Sequence, residues 1–212
     1  MHRECGRRLG RPETDWDRVD AMTLLGNGLS DAKQHEDALS VKEADLATRR
    51  RLGDSESRIL GVQANLANTY SRVGRQQEAL QMERDIYAHY LKRNGEEDES
   101  TLAAANNYAA SLMILNRFKD ASALYRKTVP IARRVLGEGH EFCLGLRTNY
   151  GRALCMADGA TLDDLREAVA TLVEADRTAR RVMGGAHPLF LQIEDDLRAA
   201  RAVLAARERQ SP

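Results

Sequence analysis

The chain has 212 residues with 32 basic and 32 acidic side chains, so its formal charge near pH 7 is zero, and no whole-chain field exists to gather nucleic acid phosphates or anionic membrane head groups. Hydrophobic residues make up 42% and aromatic residues only 5%, with four prolines. That mix favours helices over sheets, because Ala, Leu, Glu and Arg lose little freedom in a helix whereas strands want aromatic and β-branched side chains.

In chain order, the opening stretch MHRECGRRLGRPETDW lacks the apolar segment of a secretory signal. Its arginines leave organellar import open, while Glu4, Glu13 and Asp15 oppose it. From Trp16 onward apolar residues recur with helical spacing. The pattern predicts first helices over 17–31, 57–73, 99–115 and 141–157. Each is followed by a second helix, over 35–51, 76–93, 118–136 and 162–183, and one more helix runs from Pro188 to Arg209. In two of the first helices the stripe reads Leu66, Ala67, Tyr70, Val73 and Tyr108, Ala109, Leu112, Leu115. Gly74-Arg75 and Asn116-Arg117 form the turns that follow, where Gly or Asn enters the left-handed conformation that closes a helix. Pro130 lies inside a second helix and is expected to kink it, since it removes an amide donor and crowds the preceding turn. The fourth pair is parted by a longer segment, Asp158 to Asp164, in which Thr161 or Asp163 can cap the next helix. No run of about 18 apolar residues predicts a membrane span. Cys5, Cys143 and Cys155 are far apart with no CxxC pair, which points to a reducing, cytoplasmic setting rather than to disulfides or zinc.

Laid on itself, the chain repeats. Leu-Gly or a close substitute ends the helical stretches at Leu9-Gly10, Leu52-Gly53, Asn94-Gly95, Leu136-Gly137 and Met183-Gly184, in steps of 43, 42, 42 and 47. An acidic residue followed by Ala recurs at Asp37-Ala38, Glu78-Ala79, Asp120-Ala121 and Glu167-Ala168, in steps of 41, 42 and 47. Asn65-Leu66-Ala67, Asn107-Tyr108-Ala109 and Asn149-Tyr150-Gly151 keep steps of 42 and 42. These markers divide an array over 16–187 into repeats at 16–56, 57–98, 99–140 and 141–187, with 188–212 as a capping helix and tail.

At the markers the sequence resembles the tetratricopeptide repeat, in the 42-residue form of kinesin light chains, whose pattern looks like NLAxxYxxxGRxxEAL, then a long second helix, then LGxxHP. Asn65-Leu66-Ala67, Tyr70, Gly74-Arg75 and Glu78-Ala79-Leu80 match it, and the fourth repeat closes on Gly184-Gly185-Ala186-His187-Pro188. The first repeat departs from it, with Leu24 in place of Asn and Asp54-Ser55-Glu56 in place of the His-Pro loop. The resemblance implies an all-α, right-handed solenoid of about four helical hairpins and a role as a non-enzymatic scaffold for another protein or peptide. Arg7 to Thr14 looks like the end of a preceding repeat, so residues 1–15 read as a remnant of one or as a flexible segment. The N-terminal end is then expected to be open, exposing Leu24, Leu25 and Leu29 or offering an end-to-end contact to another chain. A piece of a longer array, packed in an assembly through its convex face, is the alternative role.

Small residues at Gly26, Ala67, Ala109 and Gly151, and at Ala38, Ala79, Ala121 and Ala168, are expected where helices approach closely. The five histidines never fall at i, i+4 spacing, so no local metal site is expected, and His140 and His187 occupy equivalent turns, as loop or helix-start residues. GxSxG, HExxH and glycine-rich phosphate motifs are missing, so no catalytic residue, cofactor or enzyme activity is expected. Asn65, Asn107 and Asn149 are different: Asn is a mediocre helix-interior residue, yet it recurs at one phase. In the resembling family this position faces the concave groove and holds the main chain of a bound peptide. The same register adds Asn68, Arg72, Asn106, Met113, Arg152 and Met156 as groove candidates. Arg72 and Arg152 would favour acidic groups, and the methionines adaptable apolar contact. The competing reading is that the amides bridge neighbouring repeats.

Overall fold

A computed structural model describes residues 16–210, and among them every regular element is an α-helix. The expectations for residues 1–15 lie outside the described residues. The chain divides into two compact units between Ile86 and Tyr87. The first holds α1 (Trp16–Asp31), α2 (His35–Leu52), α3 (Glu56–Arg72) and the start of α4 (Gln76–Asn94). The second holds the rest of α4 with α5 (Glu99–Ile114), α6 (Phe118–Leu136), α7 (Glu141–Met156), α8 (Leu162–Val182) and α9 (Pro188–Gln210). Every helix begins and ends within one residue of its predicted bounds.

Local chemistry accounts for those bounds. Gly74 and Asn116 take φ of 84° and 57°, the left-handed turns foreseen between hairpin helices. The first hairpin turn has neither residue type and places Lys33 at φ 61° instead. Thr161 caps α8 in a capping box: its hydroxyl accepts from the Asp164 amide while the Asp164 carboxylate accepts from the Thr161 amide. His140 Nδ1 accepts from the Phe142 amide at 3.2 Å and His187 Nδ1 from the Leu189 amide at 3.3 Å, which makes both histidines helix-start residues. In the second and third repeats the acid of the acidic-Ala marker pairs with the arginine that opens its helix, Arg75 Nε to Glu78 at 2.6 Å and Arg117 Nε to Asp120 at 2.7 Å. These exposed pairs set the turn more than they stabilise it. α6 runs unbroken through Pro130, whose ring is exposed.

Packing follows the small residues. A Cβ on Gly26 would lie 2.8 Å from Lys42 Cγ, and one on Gly151 would lie 2.7 Å from Leu172 Cγ. Only glycine admits a second helix at that distance. Ala38, Ala109, Ala121 and Ala168 are fully buried for the same reason. In the first unit Leu39, Leu46, Val62, Leu66, Tyr70 and Ala79 form one core. In the second, Leu144, Ala175, Ala179, Phe190 and Ile193 form another, so α9 covers α7 and α8.

One buried carboxylate runs against this pattern. Glu83 on α4 is 4% exposed, and its Oε2 has no hydrogen-bond partner among the described residues. Burial pushes its carboxyl up to about 7 from an unfolded value near 4.5. A raised acid pKa stabilises the fold fully below the unfolded value, and the benefit is lost as pH rises to about 7. Glu83→Gln is therefore expected to raise stability by on the order of 3 kcal/mol at pH 8, with the gain fading towards pH 4. Urea midpoints at the two pH values check it, and an equal gain at both would show that ionisation is not the cause.

Candidate functional site

The first unit contains a cavity of about 490 Å3 between α1, α2 and α3, and every side chain lining it is polar or charged. Asn65, Asn68 and Arg72, three of the predicted groove residues, project into it from α3 together with Thr69. Their spacing at i, i+3, i+4 and i+7 puts them on one helical face. Asn27, Ser30 and Asp31 of α1 stand opposite, Lys33 lies at the turn, and Lys42 of α2 completes the lining. The Arg72 guanidinium is oriented by Asn68, whose Oδ1 accepts from Nε at 2.9 Å. Lys42 is 5% exposed. Its ammonium donates to Ser30 Oγ at 2.9 Å and to Thr69 Oγ1 at 3.0 Å.

The second unit contains a cavity of about 440 Å3 between α5, α7 and α9, with Phe142, Leu146 and Leu189 as apolar lining and Asn106 and Asn149 as polar lining. Here the amides meet: Asn149 Nδ2 donates to Asn106 Oδ1 at 3.3 Å, and the Tyr125 hydroxyl donates to the same oxygen at 3.1 Å. Within this unit Asn149 bridges the first helices of successive repeats, the second of the two roles weighed for it. The remaining candidates are dispersed. Asn107 is exposed and lines neither cavity. Met113 is half-buried, Met156 is 50% exposed, and Arg152 faces Asp196 of α9 with Nε 3.6 Å from Oδ1. Part of the Arg152 charge is thus answered within the fold.

Of the first-cavity lining, sequence reasoning passed over Asn27, Ser30, Asp31, Lys33, Thr69 and, most consequentially, the buried Lys42. A signal for it existed, because Lys42, Glu83, Tyr125 and Leu172 each follow the acidic-Ala marker at a constant offset, in steps of 41, 42 and 47. The position is buried in all four repeats, and in the first two it carries a charge. Among the described residues no group of His, Cys, Asp and Glu is arranged to hold a metal.

The tetratricopeptide-repeat family profile matches residues 59–98 and 101–141. No curated protein matches the sequence. Among solved structures, the chain is similar to a kinesin light chain protein of TPR-like repeats from Podosopora anserina, with TM-score 0.76 and 21% identity over 94% of this chain and 91% of that one. A single-substitution variant of that protein gives TM-score 0.77 and 22% identity over 91% and 89%. BtubC (BKLC) from P. vanneervenii gives TM-score 0.58 and 19% identity over 99% and 89%. At such identities the likeness speaks for the fold. The asparagine, acidic-Ala and Leu-Gly markers and the helical hairpins they delimit agree with the matched profile: residues 59–98 and 101–141 are tetratricopeptide repeats, and the chain has the helical-hairpin fold of the kinesin light chain TPR-like repeat structures.

Proposed function

We propose that this chain is a non-enzymatic scaffold that binds an extended segment of another protein along the asparagine-bearing face of α3. Tetratricopeptide repeats in general serve as protein-interaction scaffolds. The observation that carries the reading is the first-unit cavity, where Asn65, Asn68 and Arg72 converge on space rather than on the core. Amides offer a donor and an acceptor at once, which suits a peptide main chain, and Arg72 favours acidic residues in the segment bound. The free thiols of Cys143 and Cys155 suit a reducing, cytoplasmic compartment. No described helix is long and apolar enough to cross a membrane.

The partner is to be captured by affinity purification and identified by mass spectrometry, and its affinity then compared between the wild type and the combined variant Asn65→Ala, Asn68→Ala. At about 1 kcal/mol for each hydrogen-bonding amide, a loss of roughly thirtyfold is expected. The melting temperature should fall only modestly, because both asparagines are exposed. A variant that melts early yet binds as well as the wild type while folded would assign the amides a structural role.

A second reading, contact with another subunit through the N-terminal repeat, is favoured by Leu24 and Leu25, which are 73% and 54% exposed on α1. Leu24→Asp leaves the amides intact and separates the two. It abolishes partner binding under the second reading and spares it under the first.

A further inference from the structure

Lys42 is not among the amides proposed to hold a peptide main chain, yet it is buried at the same cavity. Gly26 admits its stem, since a Cβ there would lie 2.8 Å from Lys42 Cγ, and this close approach holds the ammonium at the cavity. A lysine this buried ordinarily pairs with a carboxylate. Among the described residues both of its acceptors are neutral hydroxyls, Ser30 Oγ and Thr69 Oγ1, which leaves the third of its N–H donors over. Burial lowers the pKa of Lys42 first of all; Asp31 opposes that shift, and the neighbouring Arg72 charge adds to it. Two cations are thus close enough to repel each other. Arg72 has no carboxylate partner among the described residues, and because Asn68 takes only its Nε–H, both terminal nitrogens remain available.

Like charges converging on a polar cavity form an anion receptor, and the surplus charge narrows the choice of anion. Lys33, Lys42 and Arg72 contribute three positive charges to the lining and Asp31 one negative, an excess of two. A single carboxylate answers half of that. A phosphoryl group carries about −1.5 to −2 at neutral pH and presents three acceptor oxygens to a guanidinium fork and an ammonium. The amide groups of Asn27 and Asn65 supply further donors in the same lining.

We propose that this cavity is a phosphoryl-binding site with Lys42 and Arg72 as its cationic ligands. The phosphoryl group arrives either as free phosphate or on a phosphorylated side chain of the bound segment. Only the second source rests on the peptide-binding reading, and free phosphate tests the site without it.

The test titrates the full chain, labelled with 15N, at constant ionic strength. The probes are sodium phosphate, a short phosphoserine peptide, and the same peptide with serine or glutamate in place of phosphoserine. Phosphate is expected to produce saturable shifts centred on the amides of Lys42, Asn68 and Thr69. The phosphoserine peptide should bind at least as tightly, the glutamate peptide about tenfold more weakly, and the serine peptide not detectably. Lys42→Met and Arg72→Gln should each weaken phosphate binding about tenfold. Arg72 is exposed, so its variant keeps the fold and carries the test even where Lys42→Met does not. A phosphopeptide that binds well above free phosphate assigns the peptide-borne source, and equal affinities assign the free ion. Shifts that fail to saturate and scatter over surface lysines and arginines would overturn the proposal. So would an Arg72→Gln variant that binds phosphate as before, or a glutamate peptide as tight as the phosphopeptide.

Discussion

Replacing Arg49 by Met is expected to destabilise the protein by about 3–5 kcal/mol at pH 7, because it strands two buried carboxylates. The Arg49 side chain is 4% exposed and those of Asp45 and Asp54 are 1% and 3% exposed. Its Nε donates to Asp45 at 2.8 Å, Nη1 to Asp54 at 2.7 Å, and Nη2 to Asp20 at 2.8 Å and to the Thr23 hydroxyl at 3.0 Å. One guanidinium therefore ties α1, α2 and the loop before α3 together. Burial alone would raise the Asp54 carboxyl, but the bonds from Arg49 and the Ser55 amide outweigh it and hold the pKa below the usual value of 3.8. A depressed acid pKa contributes stability that is present above the unfolded value and lost as pH falls through the folded one. The wild type should thus lose stability below about pH 4, while the gap between wild type and Arg49→Met should narrow there as the stranded carboxylates protonate. Urea unfolding at pH 7 and pH 3 measures both. A loss under about 1 kcal/mol at pH 7 would class the cluster with ordinary surface pairs.

Leu66→Ala is expected to cost about 2–5 kcal/mol, the range for a buried large-to-small change that leaves a cavity. Leu66 is 1% exposed and packs with Leu39, Leu46, Val62 and Tyr70. Leu24→Ala provides the contrast, because the same residue type at 73% exposure on α1 should stay within about 0.5 kcal/mol. Leu24 stands where the later repeats carry Asn65, Asn107 and Asn149. The pair of variants therefore separates the core phase of a first helix from the phase of its asparagine. Chemical denaturation midpoints that move equally for both would mean the two phases are wrongly assigned.

The helices, their bounds and their pairing into hairpins were legible in the sequence because each depends on nearby residues. A 3.6-residue apolar stripe, a glycine or asparagine at a left-handed turn and a threonine three residues before an aspartate all act within a few positions. Repetition then multiplied each weak signal, so Ala38, Ala79, Ala121 and Ala168 could be placed in the core from spacing alone, and all four are buried there. The asparagines could be placed on a face of the first helices by the same phase argument, but their partners could not. Asn149 reaches Asn106, Lys42 reaches Thr69, Arg49 reaches Asp20 and Arg152 faces Asp196, each pairing joining two different helices across a separation no local signal spans. Period sets which way a side chain leaves its helix; the distance between two helices sets what it meets. That distance is decided by packing, where Gly26 lets Lys42 in under α1, and so the tertiary structure alone determined that one asparagine serves as a bridge, that Arg152 is answered by α9, and that a buried lysine shares a cavity with Arg72.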